Sequence, residues 1–314
     1  DKIFTIGVTA GIVAITDDGA TNQEVLSAAD TACFIAKDSG RNQYHIYRTD
    51  DALSQKRHGE MQWVTRIVNA IEENRLVLYV QRINDVNENS EKYEHYEILV
   101  RMLDEEGEIV PPMAFIPAAE RYGLMPQMDR WIVQHALEAL ETLMAIDDEY
   151  TYEFSINLSG ASVGESKLIP FIEECFEVFE IGYKNVCFEI TETAAISNMN
   201  AAIEFIETFK DLGCKFSLDD FGSGLSSFAY LKDMPVTYLK IDGCFIADIA
   251  SNEVNYAMVD AINKVGNVMG IKTIGECVEN KEILEILSEI GVNYGQGFGL
   301  EKPYPLSELL AKRS

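Results

Sequence analysis

The chain has 314 residues, 47% of them hydrophobic, with 52 Asp+Glu against 25 Lys+Arg and a formal charge of −27. That is ample for a sizeable core, and no apolar run is long enough to span a bilayer. So acidic a chain disfavours DNA, RNA or an anionic membrane as a non-specific partner, and an anionic substrate would need local Arg, Lys or bound metal.

The six cysteines (Cys33, Cys175, Cys187, Cys214, Cys244, Cys277) lack C-x-x-C spacing. They read as isolated reduced thiols in a reducing, cytoplasmic compartment, not as a zinc site or a disulfide framework. The N-terminus begins inside a folded pattern, Ile3 to Ile15, without a basic start and apolar signal core, which points to a fragment of a longer protein.

Residues 3–15 read as an extended segment ending at the turn Asp17-Asp18-Gly19. Residues 22–38 have helical spacing, with Val25, Leu26, Ala29, Ala32, Cys33 and Ala36 on one face, and Tyr44 to Tyr47 reads as a further strand. Residues 1–48 are thus a short α+β piece, and the polar, aperiodic stretch 49–60 is a linker. An amphipathic helix follows from Met61 to Asn74, opening the principal domain, 61–314.

From Leu76 strand-like and helix-like segments alternate, the mark of an α/β architecture. Strands are predicted at 76–83, 93–102, 152–158, 185–190, 214–219, 237–241, 271–275 and 292–294, and helices at 127–145, 168–180, 198–212, 251–268 and 280–290. About eight strands in ~240 residues fit a TIM-like (β/α)8 barrel better than an open doubly wound sheet. No G-x-G-x-x-G follows the first strand, which weakens a dinucleotide-binding reading.

Barrels of this kind carry their chemistry at the C-terminal ends of the strands. Those ends supply Glu97, Asn157, Glu189, Asp219 with Asp220, Lys240 with Asp242, Glu276, and Gln296. Singly, each has an ordinary explanation as a cap, a turn former or a rim salt bridge. Their convergence on one mouth is harder to dismiss. Oxygen donors in such number suit hard divalent cations such as Mg²⁺ or Mn²⁺. None of the four histidines ends a later barrel strand, and no serine sits in a G-x-S-x-G elbow, so a His-based zinc site and a serine nucleophile lack support. A carboxylate-rich site with one lysine is what metal-assisted phosphodiester hydrolysis requires.

The ordered motifs Glu97-Ile98-Leu99-Val100-Arg101, Ile156-Asn157-Leu158-Ser159, Phe188-Glu189-Ile190-Thr191-Glu192, Leu218-Asp219-Asp220-Phe221-Gly222-Ser223-Gly224, Lys240-Ile241-Asp242, Glu276-Cys277-Val278-Glu279 and Gln296-Gly297-Phe298 resemble those of the EAL family of cyclic di-GMP phosphodiesterases. The resemblance covers about residues 62–310. It implies that Glu97, Asn157, Glu189 and Asp219 hold one metal, that Asp219 bridges to a second, and that Asp220 and Glu276 complete it. It makes Lys240, Glu276, Asp219, Asp220 and Glu97 the catalytic set, with Lys240 holding or deprotonating the attacking water. Arg101, Gln81, Gln296 and Leu99 would bind the substrate. Glu192 would anchor the loop 221–230, and Asp242 and Glu279 would orient their neighbours. Two Mg²⁺ or Mn²⁺ ions, a homodimer through the mouth region, and upstream sensory or GGDEF domains in the parent protein are further implications.

Residues 28–42, Ala28-Ala29-Asp30 and then Ala36-Lys37-Asp38-Ser39-Gly40-Arg41-Asn42, resemble the end of a GGDEF (diguanylate cyclase) domain whose signature is missing here, so 1–48 is read as its remnant. The chain departs from the usual EAL pattern at Ile98, Arg82, Leu225 and Cys277; Arg82 would add a cation near the mouth. The rival reading is a catalytically silent receptor that binds cyclic di-GMP and signals to a partner. Because every ligand position is filled and DDFGSG is intact, the enzyme is favoured. A different metal phosphodiesterase on the same barrel is a third possibility, against which the ordered motif set argues.

Overall fold

A computed structural model describes residues 8–15, 25, 26, 28, 29, 32, 33, 36, 43–47, 63–87, 92–222 and 230–313. The linker 49–60 and Leu225 lie outside them. The chain divides into two compact units, residues 1–73 with 113–122, and residues 74–112 with 123–314.

In the first unit the described strands are β1 (Ala10–Ile12) and β2 (Tyr44–Ile46), paired in parallel with Ala10 opposite Tyr44. A parallel pair needs a crossover, and Val25, Leu26, Ala28, Ala29, Ala32, Cys33 and Ala36 between them are helical (α1). The buried face is Ala28, Ala32 and Ala36, spaced by four, while Leu26, expected on that face, is 66% exposed. Small residues let the backbones close up: a Cβ on Gly11 would lie 2.1 Å from the Ala29 carbonyl oxygen. The predicted extended segment 3–15 is a strand only at 10–12 among the described residues. The helix expected over 61–74 is seen at 63–72 (α2), and it groups with this first unit, as does α3 (Pro112–Arg121).

The second unit is the barrel. Its strands are β3 (Leu76–Asp85), β4 (Tyr93–Leu103), β6 (Thr151–Asn157), β7 (Val186–Thr191), β8 (Lys215–Phe221), β9 (Tyr238–Ile241), β10 (Lys272–Gly275) and β11 (Tyr294–Gly295). Sheet order runs β3-β11-β10-β9-β8-β7-β6-β4, and pairing of β3 with β4 closes the ring. Short β5 (Ile109–Val110) and β12 (Tyr304–Pro305) add to the edges of β4 and β3. All eight predicted strands are present, within two residues at every end. One property departs from a regular TIM barrel: β3 runs antiparallel to both neighbours, with Gln81 opposite Glu97. The chain between β3 and β4 is too short for a crossover, so only a hairpin can join them.

The helices outside the sheet are α4 (Met125–Ile146), α5 (Gly160–Val163), α6 (Leu168–Val178), α7 (Glu192–Ser197), α8 (Met199–Leu212), α9 (Gly243–Ile246), α10 (Glu253–Met269), α11 (Lys281–Ile290) and α12 (Leu306–Arg313). The five long helices expected from periodicity are α4, α6, α8, α10 and α11. Those not foreseen are ten residues or fewer, and α3 carries a helix-disfavouring proline, Pro117, inside it. Helix ends follow side-chain chemistry. Asn252 and Asn280 cap α10 and α11, and left-handed Gly213, Gly270 and Gly291 close α8, α10 and α11.

Alternation along each strand decides what the barrel encloses. Phe188 and Ile190, Phe216 and Leu218, and Leu239 and Ile241 face outward into the main core, while Cys187, Glu189, Ser217, Asp219 and Lys240 face inward. Phe188 is fully buried, with the rings of Phe205, Phe209 and Phe216 at centroid distances of 5.6, 5.8 and 5.9 Å. Replacing Phe188 by Ala should cost about 3–5 kcal/mol in equilibrium urea unfolding, the range for an aromatic lost from a tight core. A cost under about 1 kcal/mol would mean the cluster does not hold helix α8 to the sheet.

Candidate active site

The inward polar residues meet at the C-terminal mouth, around one lysine. Lys240, 1% exposed, places its Nζ 2.9 Å from Glu189, 3.0 Å from Glu276, 3.1 Å from Asp219 and 3.4 Å from Glu97. Glu97 is braced from both sides: its Oε1 accepts the Asn157 amide at 2.7 Å and its Oε2 accepts the Gln296 amide at 2.6 Å. Gln296 also donates to Gln81 Oε1 at 3.2 Å, and Gln81 donates to the Glu301 carbonyl at 2.9 Å.

Adjacent residues of a regular strand point to opposite faces, yet Asp219 and Asp220 serve one mouth. The pairing of β8 with β9 slips between Leu218 and Phe221, and Asp220 takes a left-handed φ of +55°. This bulge turns both carboxylates to one side. Oxygens of Asp219, Asp220 and Glu276 come within 4.8 Å of one another. The turn continues through Gly222 at φ +97°, where a side chain would strike the Phe245 ring.

The electrostatics describe a surplus of negative charge. Burial by itself would depress the Lys240 ammonium, but Asp219, Glu189, Glu276 and Glu97 outweigh it and hold the pKa well above the ordinary lysine value. One cation cannot neutralise four carboxylates. Burial, with Lys240 opposing and neighbouring acids adding, pushes both Glu189 and Glu276 up to about 8. Burial and the Asp219 charge raise Asp220. Burial also works against Glu97, but Lys240 and the two amides overcome it and lower its pKa.

These residues fit hard divalent cations. The donors are carboxylate and amide oxygens, the charge left over is negative, and Glu189 Oε1 is buried without a hydrogen-bond donor among the described residues.

Other residues singled out from the sequence fall into place around this ring. Glu192, 3% exposed, opens α7 and accepts the Gly222 N–H at 3.0 Å and the Tyr230 hydroxyl. Asp242 caps α9 through the Cys244 N–H at 2.7 Å. Arg101 is half-buried, lies 5.2 Å over the Tyr79 ring and feels the Glu97 charge, while its Nη1 donates to the Val100 carbonyl. Leu99 is half-buried opposite Tyr79 on the same β3–β4 hairpin. Glu279 is exposed and stands outside the ring.

Two departures do not bear on the mouth. Ile98 is 2% exposed and packs in the outer core, and Arg82, expected near the substrate, pairs with Glu94 at 3.5 Å. Both follow from alternation, since their neighbours Glu97 and Gln81 take the inward positions. Cys277 adopts φ +53°, a conformation natural to the glycine usual there. Sequence reasoning missed Asp129, which accepts the Ser159 N–H at 2.9 Å and the Ser162 hydroxyl at 2.5 Å and so fixes the turn after Asn157. It also missed Tyr230. Neither lies at a strand end, so the strand-end rule could not find them.

A stability prediction follows from the raised carboxylates. With pKa values near 8 against an ordinary 4.5, Glu189 and Glu276 keep protons in the folded chain that the unfolded chain has released. Stability is therefore full below about pH 4.5 for these groups and falls as pH rises toward 8. Thermal melting in EDTA should show a lower midpoint at pH 8 than at pH 5.5, with Mg²⁺ or Mn²⁺ restoring it at pH 8. A midpoint that rises over this interval in EDTA would contradict the assignment.

The EAL domain model matches residues 65–303. The chain is 41% identical over 304 residues to the cyclic di-GMP phosphodiesterase PdeB of Shewanella oneidensis, covering 97% of this chain and 35% of that protein. It is 30% identical over 306 residues to the bifunctional diguanylate cyclase/cyclic di-GMP phosphodiesterase MucR of Pseudomonas aeruginosa, covering 98% of this chain and 44% of that protein. The chain thus spans less than half the length of either relative. Among solved structures, the PaMucR phosphodiesterase in complex with c-di-GMP superimposes with a TM-score of 0.72 at 29% identity, covering 79% of this chain and 99% of that one. With its barrel, its ring of carboxylates and a family match over most of its length, the chain belongs to the EAL domain family.

Proposed function

We propose that this chain is a metal-dependent phosphodiesterase that hydrolyses cyclic di-GMP to linear pGpG. The observation that carries the reading is the ring of Glu97, Glu189, Asp219 and Glu276 around a single buried lysine, in a family whose relatives are named for this activity. In this reading Glu97, Asn157, Glu189 and Asp219 hold one Mg²⁺ or Mn²⁺, and Asp219, Asp220 and Glu276 hold a second. Bound cations would offset phosphate charge and lower the pKa of a bound water.

The chain's own groups do the rest. Lys240 holds or deprotonates the attacking water; without bound cations the surrounding carboxylates raise its pKa well above the ordinary lysine value, which favours the role of donor. It orients the attacking water among the carboxylates. Water oxygen bonds to phosphorus as one P–O ester bond breaks, leaving a 5′ phosphate on pGpG and a proton on the departing 3′ oxygen. Arg101 faces a substrate phosphate, and Gln81, Gln296 and Leu99 seat the dinucleotide. Gln81 and Gln296 then exchange part of their present bonding to each other and Glu97 for bonding to substrate.

The proposal extends to the setting. Residues 1–48 are the end of a GGDEF-type domain, a reading supported by the match to bifunctional MucR, which runs over 98% of the chain. Upstream sensory or cyclase domains, a homodimer through the barrel mouth, and work in the cytoplasm, where such a messenger acts, belong to the same reading. No helix among the described residues is long and apolar enough to cross a membrane.

The direct test is incubation of the purified chain with cyclic di-GMP and Mg²⁺ or Mn²⁺, with and without EDTA, followed by chromatography. Metal-dependent release of pGpG is expected; tight binding without turnover would favour a silent receptor instead. Asp219→Asn should lower turnover at least ~100-fold, since it weakens both cation positions. Lys240→Ala should lower kcat on the order of 100-fold with a smaller change in KM. A rise in KM alone would make Lys240 a binding residue.

A further inference from the structure

Away from the catalytic ring, strand β3, helix α4 and helix α12 enclose a cavity of about 710 Å³, within the roughly 300–1,000 Å³ common for small-molecule sites. It is lined by none of the mouth carboxylates. Leu76 and Leu78 of β3 and Leu306 and Leu310 of α12 form apolar walls, and Trp131 and His135 of α4 close a third side. One turn apart on their helix, these two rings stack with centroids 3.8 Å apart and planes 20° apart.

Two polar groups in that wall identify what would fill it. His135 Nδ1 lies 2.7 Å from the Trp131 carbonyl oxygen. A carbonyl only accepts, so Nδ1 holds the hydrogen, and the neutral ring keeps its lone pair on Nε2. The same bond and the stacked indole hold the imidazole in place, so the acceptor is fixed before any ligand arrives. The Trp131 indole N–H is itself buried with no acceptor among the described residues, polar capacity that this wall leaves unused. At the opening, Gly107 is flanked by exposed Glu106 and Glu108, whose charges turn away anions. An apolar volume beside a stacked ring pair, one fixed acceptor and an acidic rim suit an uncharged or cationic aromatic ring that carries an N–H or O–H donor.

We propose that this cavity binds a small planar aromatic molecule, its donor bonded to His135 Nε2 and its ring among the leucines. Tyr79 lines the cavity too, and Arg101 lies 5.2 Å over that ring, so the occupant stands one ring away from the residue assigned to a substrate phosphate. The binding itself does not depend on the phosphodiesterase reading.

The test adds indole or N-methylindole, which share a ring system but differ in the N–H, to the whole isotope-labelled chain at pH 8, where an ordinary imidazole is neutral. The chain has two tryptophans, Trp63 and Trp131, so the indole N–H resonance of Trp131 in nuclear magnetic resonance is a direct reporter, assigned with W131F. Indole should shift that resonance saturably, and N-methylindole should bind about 10-fold more weakly, the order expected for one lost hydrogen bond. His135→Phe keeps a ring beside Trp131 but offers no acceptor, so it should lose affinity for indole by about the same factor and bind both probes alike. Ser307→Trp, on the exposed side of α12, should fill the cavity and abolish the shift. A Trp131 resonance that does not saturate with indole overturns the proposal. So does a wild-type chain that binds both probes equally, and so does a preference for indole that survives in H135F.

Discussion

Four carboxylates drawn to one buried lysine is the constraint that the rest of the barrel has to satisfy. Like charges a few ångströms apart in a medium poorer than water in polarisability repel strongly, and a single ammonium offsets only part of that repulsion. The raised pKa values of Glu189 and Glu276 are the visible sign of the remainder. Such an arrangement is not a stability device. Breaking a buried ion pair leaves an uncompensated charge, and building one costs desolvation, so the ring persists because the surrounding sheet and helices impose it.

The imposition works by dividing labour between the two faces of each strand. Outward residues such as Phe154, Phe188, Phe216 and Leu239 supply the contact between sheet and helices, which frees the inward positions to be polar. Lower in the barrel, Ile83, Cys187, Tyr238, Ile274 and Tyr294 close the interior, so the charged ring sits on an apolar floor. Glu153 adds a polar note there, buried and bonded by Tyr93 and Lys215. Burial beside it lowers His95 to about 4, so that ring is neutral and can bond Ser155 without adding a charge.

This division explains what could be read from the sequence and what could not. Four of the site strands, those of Glu97, Asn157, Glu189 and Lys240, show an apolar residue on either side of the polar one, as in Phe188-Glu189-Ile190 and Leu239-Lys240-Ile241, so both strand and strand-end chemistry were legible there. The antiparallel β3 was not, since alternation reports a strand but not its direction. The same alternation, taken through to Arg82, would have turned it away from the mouth. The bulge at Asp219-Asp220 was signalled only by its result, two adjacent acids before a glycine. Asp129 and Tyr230 lie away from the strand ends, 30 and 38 residues from the partners they hold, and a distance of that kind is set by tertiary packing alone.

The rim is also where the backbone is least comfortable. Of four non-glycine residues with positive φ among the described residues, Asp220 and Cys277 stand beside the ring, one near the end of β8 and the other after β10. Such conformations cost of order 1 kcal/mol or more and survive only where neighbours dictate them. At Asp220 the neighbours are the Gly222 anchor and the bulged pairing with β9. At Cys277 the dictating contact is Gly243: a Cβ there would sit 2.3 Å from the Cys277 sulfur, so the thiol fills space that only a glycine leaves open. Bulk at 277 and its absence at 243 are therefore one adjustment made in two places. It lets the chain carry a cysteine where glycine is usual, directly after Glu276, without moving the carboxylate that precedes it.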